Sequence, residues 1–124
     1  MSTIDLGADT FEQAVSEHDI LLVDWWASWC GPCRQFAPVY EEASERHDDV
    51  VFASVNTETE QALAGAAGIS SIPTLMAFRE GVLVFAQAGA LPAPALEELI
   101  AGVKALDMEH VHRTVAEQRS TPEA

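Results

Sequence analysis

The repeat of apolar positions changes several times along the chain, and each change marks an element. Phe11, Ala14 and Val15 recur at helical spacing behind Asp9 and Glu12, whose separation resembles a capping box, so a short helix is predicted over residues 9–17. Ile20-Leu21-Leu22-Val23-Asp24-Trp25-Trp26-Ala27 is apolar at every position but one, as expected of a central strand covered on both faces. Phe36, Ala37, Val39, Tyr40 and Ala43 return to a helical period, which starts a second helix at Cys30 and Cys33. Pro38 inside that helix lacks an N–H and should bend it. Val50 to Asn56 reads as another buried strand, and Glu60 to Ala67 as a short alanine-rich helix ended by Gly68.

From here the alternation of strand and helix stops. Thr74 to Arg79 and Val82 to Ala88 are apolar strands separated only by Glu80-Gly81, a spacing that predicts a hairpin and hence a mixed sheet. Leu96, Leu99, Ile100, Val103 and Leu106 then mark one face of a helix entered through Pro92 and Pro94, placed to cover the sheet. These elements form one domain over residues 1–106. Residues 107–124 are an extension in which Met108, Val111 and Val115 loosely continue the stripe, so they either lengthen the last helix or form a disordered tail. Trp25 and Trp26 face opposite ways and fill the two core faces, Met76 is core, His18 and His47 are surface positions, and Met108 carries no signal.

Composition narrows the function classes. At 124 residues and 48% apolar, the chain can fill one modest core without staples or metal. Twenty acidic residues against 6 basic ones give a formal charge of −14, which repels phosphate backbones and anionic lipid headgroups, so neither nucleic acid nor membrane is an expected partner. The first residues lack the basic and apolar regions of a secretory signal and no apolar run spans a bilayer, from which a cytoplasmic location is expected.

The chain has two cysteines, Cys30 and Cys33, too few and too close for a secreted disulfide framework. Placed where a strand gives way to a helix, Cys30 meets the positive end of the helix dipole and unpaired N–H groups, which favour thiolate over thiol. Cys33 lies one turn further on, close enough to attack a mixed disulfide on Cys30. Gly31-Pro32 adds no charge, leaving backbone and dipole as the main support and Arg34 as a helper. The rivals are two incidental buried thiols or half of a zinc site, but zinc needs two more ligands, and His110 with His112 are a poor pair.

Val23-Asp24-Trp25-Trp26-Ala27-Ser28-Trp29-Cys30-Gly31-Pro32-Cys33-Arg34 closely resembles the active-site segment of the thioredoxin family. Gly68-Ile69-Ser70-Ser71-Ile72-Pro73-Thr74 resembles its second signature and Ala88-Gly89-Ala90-Leu91 its third, in the family's order. The resemblance implies an α/β thioredoxin fold, with a five-stranded mixed sheet of order 1-3-2-4-5 flanked by four helices. It implies a protein-disulfide reductase acting in cell redox homeostasis, with disulfide-containing client proteins. It further implies recharging by a thioredoxin reductase, an NADPH-dependent flavoenzyme, while the chain itself binds no cofactor. Trp29, Gly31, Pro32, Ile72, Pro73, Gly89 and Ala90 match positions lining an apolar groove beside the nucleophile. On the residues alone Pro73 is equally a strand-start proline or a cis proline; the resemblance implies cis.

Asp24 interrupts a run that should be buried, where a lone carboxylate is costly, so its pKa should rise and suit it to proton transfer. The alternative is a strand-edge aspartate facing solvent. The resemblance assigns Asp24 to proton exchange with Cys33. Where the family often carries a lysine on the neighbouring strand, this chain aligns Ser54, which should favour the neutral acid further.

Overall fold

The computed structural model describes residues 3–120, with side chains through 118. Its sheet is built on β2 (Ile20–Trp26), every residue of which is buried except the half-buried Trp26. β2 pairs in parallel with β3 (Val51–Asn56) and antiparallel with β4 (Thr74–Arg79). β1 (Thr3–Asp5) adds to the outer side of β3, and β5 (Val82–Ala88) to that of β4, giving the order β1-β3-β2-β4-β5. The mixed sheet expected from the sequence is present, and the hairpin strands have the predicted bounds. Glu80 (φ 50°) and Gly81 (φ 80°) both take positive φ, as a two-residue I′ turn requires.

Alternation along β2 sends its side chains to two cores. Ile20 and Leu22 join Phe36, Tyr40 and Ala43 of α2 (Gly31–Arg46) and Leu96, Ile100 and Val103 of α4 (Ala93–Lys104). Leu21, Val23 and Trp25 join Ala14 of α1 (Phe11–Glu17) and Ala64 of α3 (Gln61–Ala66). Phe11 packs edge-on against Phe78 and tilted against Trp25 in the second core. Asp24 has the parity of the first core and is 5% exposed, so the solvent-facing alternative is excluded.

Four expectations are corrected. The first helix begins at Phe11 and not Asp9, because no side chain caps it: Thr10 Oγ1 instead accepts the Gly7 N–H. A fifth helix, α5 (Met108–Ser120), replaces both the lengthened last helix and the disordered tail over the described part of the extension; residues 121–124 lie outside the described residues. The chain turns because Arg79 Nη1 donates to the carbonyls of Val103, Lys104 and Leu106, satisfying the end of α4. Met108, without signal in the sequence, is then buried, and His112 Nε2 lies 2.8 Å from Glu80 Oε1 on the hairpin turn. His47 is also no simple surface residue: Nε2 is 2.8 Å from Glu97 Oε1 and Nδ1 is 3.1 Å from Lys104 Nζ, which ties α2 to α4. Among the described residues no helix is long and apolar enough to cross a membrane.

Two consequences for stability follow. Removing the guanidinium in Arg79→Ala leaves three carbonyls without their donor, and hydrogen bonds to charged groups contribute about 1.5–3 kcal/mol. Urea unfolding should show a loss of about 2 kcal/mol, and an unchanged midpoint would contradict the anchoring role. Burial pushes the Asp24 carboxyl from 3.8 to about 7. Between those values the folded chain holds a proton that the unfolded chain has lost, so this residue's contribution to stability falls as pH rises through the window and levels off above about 7. Asp24→Asn lacks that loss, so relative to the parent it should gain on the order of 4 kcal/mol between pH 4 and pH 8. Denaturation curves that stay parallel across this range would refute the burial cost.

Candidate active site

Cys30 ends the loop after β2 and occupies the N-cap of α2, and its Sγ accepts the Cys33 N–H at 3.2 Å. Sulfur thus takes the place where a serine or aspartate oxygen commonly satisfies a first-turn donor. Gly31 and Pro32 open the helix, where the missing N–H of proline costs no intrahelical bond. Cys30 and Cys33 stand at disulfide distance, with Cα atoms 5.2 Å apart. Both sulfur residues are nearly covered, whereas Trp29 beside them is 68% exposed.

The loop before Cys30 is clamped. Glu58 Oε1 accepts the Ser28 hydroxyl at 2.7 Å and the Ser28 N–H at 3.0 Å, and these bonds hold the Glu58 carboxyl below the usual carboxylate range. Arg34 Nη1 donates to the Ser28 carbonyl at 3.1 Å. The helper assigned to Arg34 in the sequence is therefore engaged with the backbone, and its hydrogen bond does not reach a cysteine.

A groove of about 510 Å³ lies against Cys30, lined by Trp29, Gly31, Pro32 and Ile72 among the expected residues. Thr57, Ala64, Ile69, Ser70 and Ser71 line it as well. Ile69, Ser70 and Ser71 sit in the second signature and were legible there; Thr57 and Ala64 had no signal. The Ile72–Pro73 bond is cis, and the Ile72 carbonyl oxygen lies 3.7 Å from Cys30 Sγ. Pro73 is buried beneath the groove and its carbonyl accepts the Gly89 N–H at 2.7 Å. Gly89 has φ 105°, where a side chain would be strained. Ala90 is exposed beyond it and, like Pro73 and Gly89, is not part of the groove lining.

Behind the cysteines is a second cavity, about 200 Å³, lined by Cys33, Asp24, Trp26, Tyr40, Ser54 and Glu41 among others. Asp24 Oδ1 is buried with no hydrogen-bond partner. Ser54 stands opposite Asp24 across the β2–β3 pairing, as the alignment anticipates, but its hydroxyl donates to Asp5 Oδ1 at 2.9 Å and leaves Asp24 uncompensated. Tyr40, whose hydroxyl donates to the Ala53 carbonyl at 2.7 Å, is held well above the usual phenol range by burial first and by the Asp24 charge second. Among the described residues no cluster of three or more His, Cys, Asp or Glu is placed to hold a metal ion.

Comparison with known proteins gives these features a family. A family model described as Thioredoxin matches residues 2–102. A Streptomyces coelicolor protein bearing a thioredoxin 2 name is 53% identical over 119 residues, covering 96% of this chain and 89% of that protein. Thioredoxin 1 of Synechococcus elongatus is 47% identical over 89 residues, covering 70% of this chain and 83% of that one. Among solved structures, a mutant thioredoxin from Halobacterium salinarum superposes with a TM-score of 0.78 at 33% identity, over 85% of this chain and 93% of that chain. With the sheet order, the paired cysteines at a helix start and the family match all in agreement, this chain belongs to the thioredoxin family.

Proposed function

We propose that the chain is a general protein-disulfide reductase that works in cell redox homeostasis in the cytoplasm and is recharged by an NADPH-dependent flavin-containing thioredoxin reductase. The observation that carries the reading is Cys30 Sγ at the α2 N-cap, beside an open groove on one side and Cys33 on the other. Disulfide-containing clients lie along Trp29, Gly31, Pro32 and Ile72, with Pro73, Gly89 and Ala90 supporting the groove from below and beside it. A client strand can bond to backbone groups next to Pro73, which makes recognition tolerant of sequence.

In the forward reaction the Cys30 thiolate attacks one client sulfur, forming a mixed disulfide and releasing the other client sulfur as thiolate. Cys33 passes its proton to the Asp24 carboxylate, and its thiolate attacks Cys30 Sγ. The Cys30–Cys33 bond forms, the mixed disulfide breaks and the second client thiolate leaves. The client has gained two electrons and the dithiol has lost two. An Asp24 carboxyl pushed up to about 7 by burial exchanges protons readily at neutral pH, which supports this role. The reductase returns the electron pair.

Residues 1–106 would suffice for this chemistry, with 107–124 as an added segment, since Arg79, Glu80 and α5 sit at the Ile20 end of the sheet, opposite the cysteines.

With insulin as client and dithiothreitol as electron source, the parent should bring on turbidity quickly and Cys30→Ser should match the uncatalysed blank. Pre-reduced Cys33→Ser, mixed with insulin after dithiothreitol is removed, should accumulate a covalent insulin adduct on Cys30, visible by mass spectrometry. No acceleration by the parent, or an adduct on Cys33 in Cys30→Ser at the same rate, would overturn the assignment.

A further inference from the structure

The cavity behind the cysteines holds a second carboxyl that the redox chemistry does not use. Its floor is formed by Asp24, Cys33 and Tyr40, all buried, and its rim by Arg34 and Ala37, both exposed, so it runs from the reacting pair to solvent between α2 and the β1 edge. Glu41 on α2 and Thr3 on β1 stand at that outer side. Thr3 Oγ1 donates to Glu41 Oε2 at 3.2 Å, while Glu41 Oε1 is buried with no hydrogen-bond partner, as is Asp24 Oδ1. Two carboxyls, each with a buried oxygen that has no hydrogen-bond partner, therefore border one space. At about 200 Å³ it far exceeds the roughly 10–15 Å³ that a single water needs.

The other groups facing this space are committed. The Tyr40 hydroxyl proton goes to the Ala53 carbonyl and the Ser54 proton to Asp5 Oδ1. Arg34 is bound to the Ser28 carbonyl and a guanidinium does not release its proton. Trp26 offers only an indole donor, and Ala37 offers nothing. Asp5, the charged residue on β1, is turned to Ser54. That leaves one lining side chain able to accept and release a proton beyond Asp24 and Cys33.

We propose that Glu41 is the outer station of a two-carboxyl proton path, through which Asp24 exchanges its proton with solvent across water in this cavity. The inference rests on the reading of Asp24 as the proton partner of Cys33. When Cys33 has given its proton to Asp24 and its thiolate has closed on Cys30 Sγ, the proton on Asp24 moves through hydrogen-bonded water to the Glu41 carboxylate and from there to solvent. No electrons move in this step. During recharging the proton travels inward by the same route. Glu41 is a positioning and relay residue and touches neither sulfur nor client.

The test is multiple-turnover reduction of a fluorogenic peptide disulfide by the full chain, with dithiothreitol as electron source, from pH 6 to 9, in dilute buffer and with added imidazole, because each cycle needs one proton released from Asp24 and one returned to it. Parent, Glu41→Gln, Glu41→Asp and Asp24→Asn are compared. Glu41→Gln should be slowed about tenfold in dilute buffer, less than the 10²–10⁴ of a directly acting acid–base group. Its rate should climb with imidazole toward the parent's, Glu41→Asp should keep most of the rate, and the parent should ignore imidazole. Glu41→Gln matching the parent while Asp24→Asn is slow would sink the relay and spare the Asp24 role. A loss in Glu41→Gln that is uniform in pH and deaf to imidazole would make Glu41 merely structural and also overturn the relay. Asp24→Asn matching the parent at every pH would remove the underlying reading, and the relay with it.

Discussion

One hydrogen bond, from the Cys33 N–H to Cys30 Sγ, joins the fold to its chemistry. A helix must find partners for its first N–H groups, and this helix uses a sulfur. The residue that stabilises the start of α2 is thus the one whose thiolate the helix favours in return. Much of the surrounding structure serves to hold that junction. β2 delivers the chain to it from the centre of the sheet, Glu58 and Arg34 fix Ser28 just before it, and Gly89 and Pro73 bring the Ile72 carbonyl alongside.

The same sheet carries a built-in conflict. A strand buried on both faces excludes charge, yet β2 holds Asp24 in its middle, with one oxygen unsatisfied and the Ser54 proton directed elsewhere. Burial raises the carboxyl toward neutrality, which costs stability at high pH and yields a group whose proton is easily exchanged near pH 7. The cavity next to it is the spatial side of the same arrangement, since a packed apolar core would leave that proton nowhere to go. On the proposed mechanism, the stability given up at Asp24 is placed where the resolving cysteine needs a proton partner.

What the sequence disclosed depended on how local each feature is. β4 and β5 were legible to the residue because their apolar runs are broken only by Glu80-Gly81, and the Cys30/Cys33 pair because spacing and setting lie within one segment. β1 was invisible as a pattern: three residues make no run, and pairing of Ile4 with Ala53 decides its state. α5 was ambiguous because Met108 is buried only once Arg79 has turned the chain at the end of α4. Asp9 misled as a cap because Thr10 and Gly7 bond to each other instead. The Thr3–Glu41 contact joins residues 38 positions apart, and the groove residue Thr57 lies in the turn just after β3, so neither could be found from spacing.

The proposed mechanism requires Cys30 to be the activated thiolate at the helix start. Alkylation of the reduced native protein by iodoacetamide, followed against pH with the modified residue located by mass spectrometry, tests this directly. Cys30 should react first, with a midpoint clearly below the roughly 8.5 of a free thiol. Reaction at Cys33 first, or a Cys30 midpoint at or above that value, would contradict it.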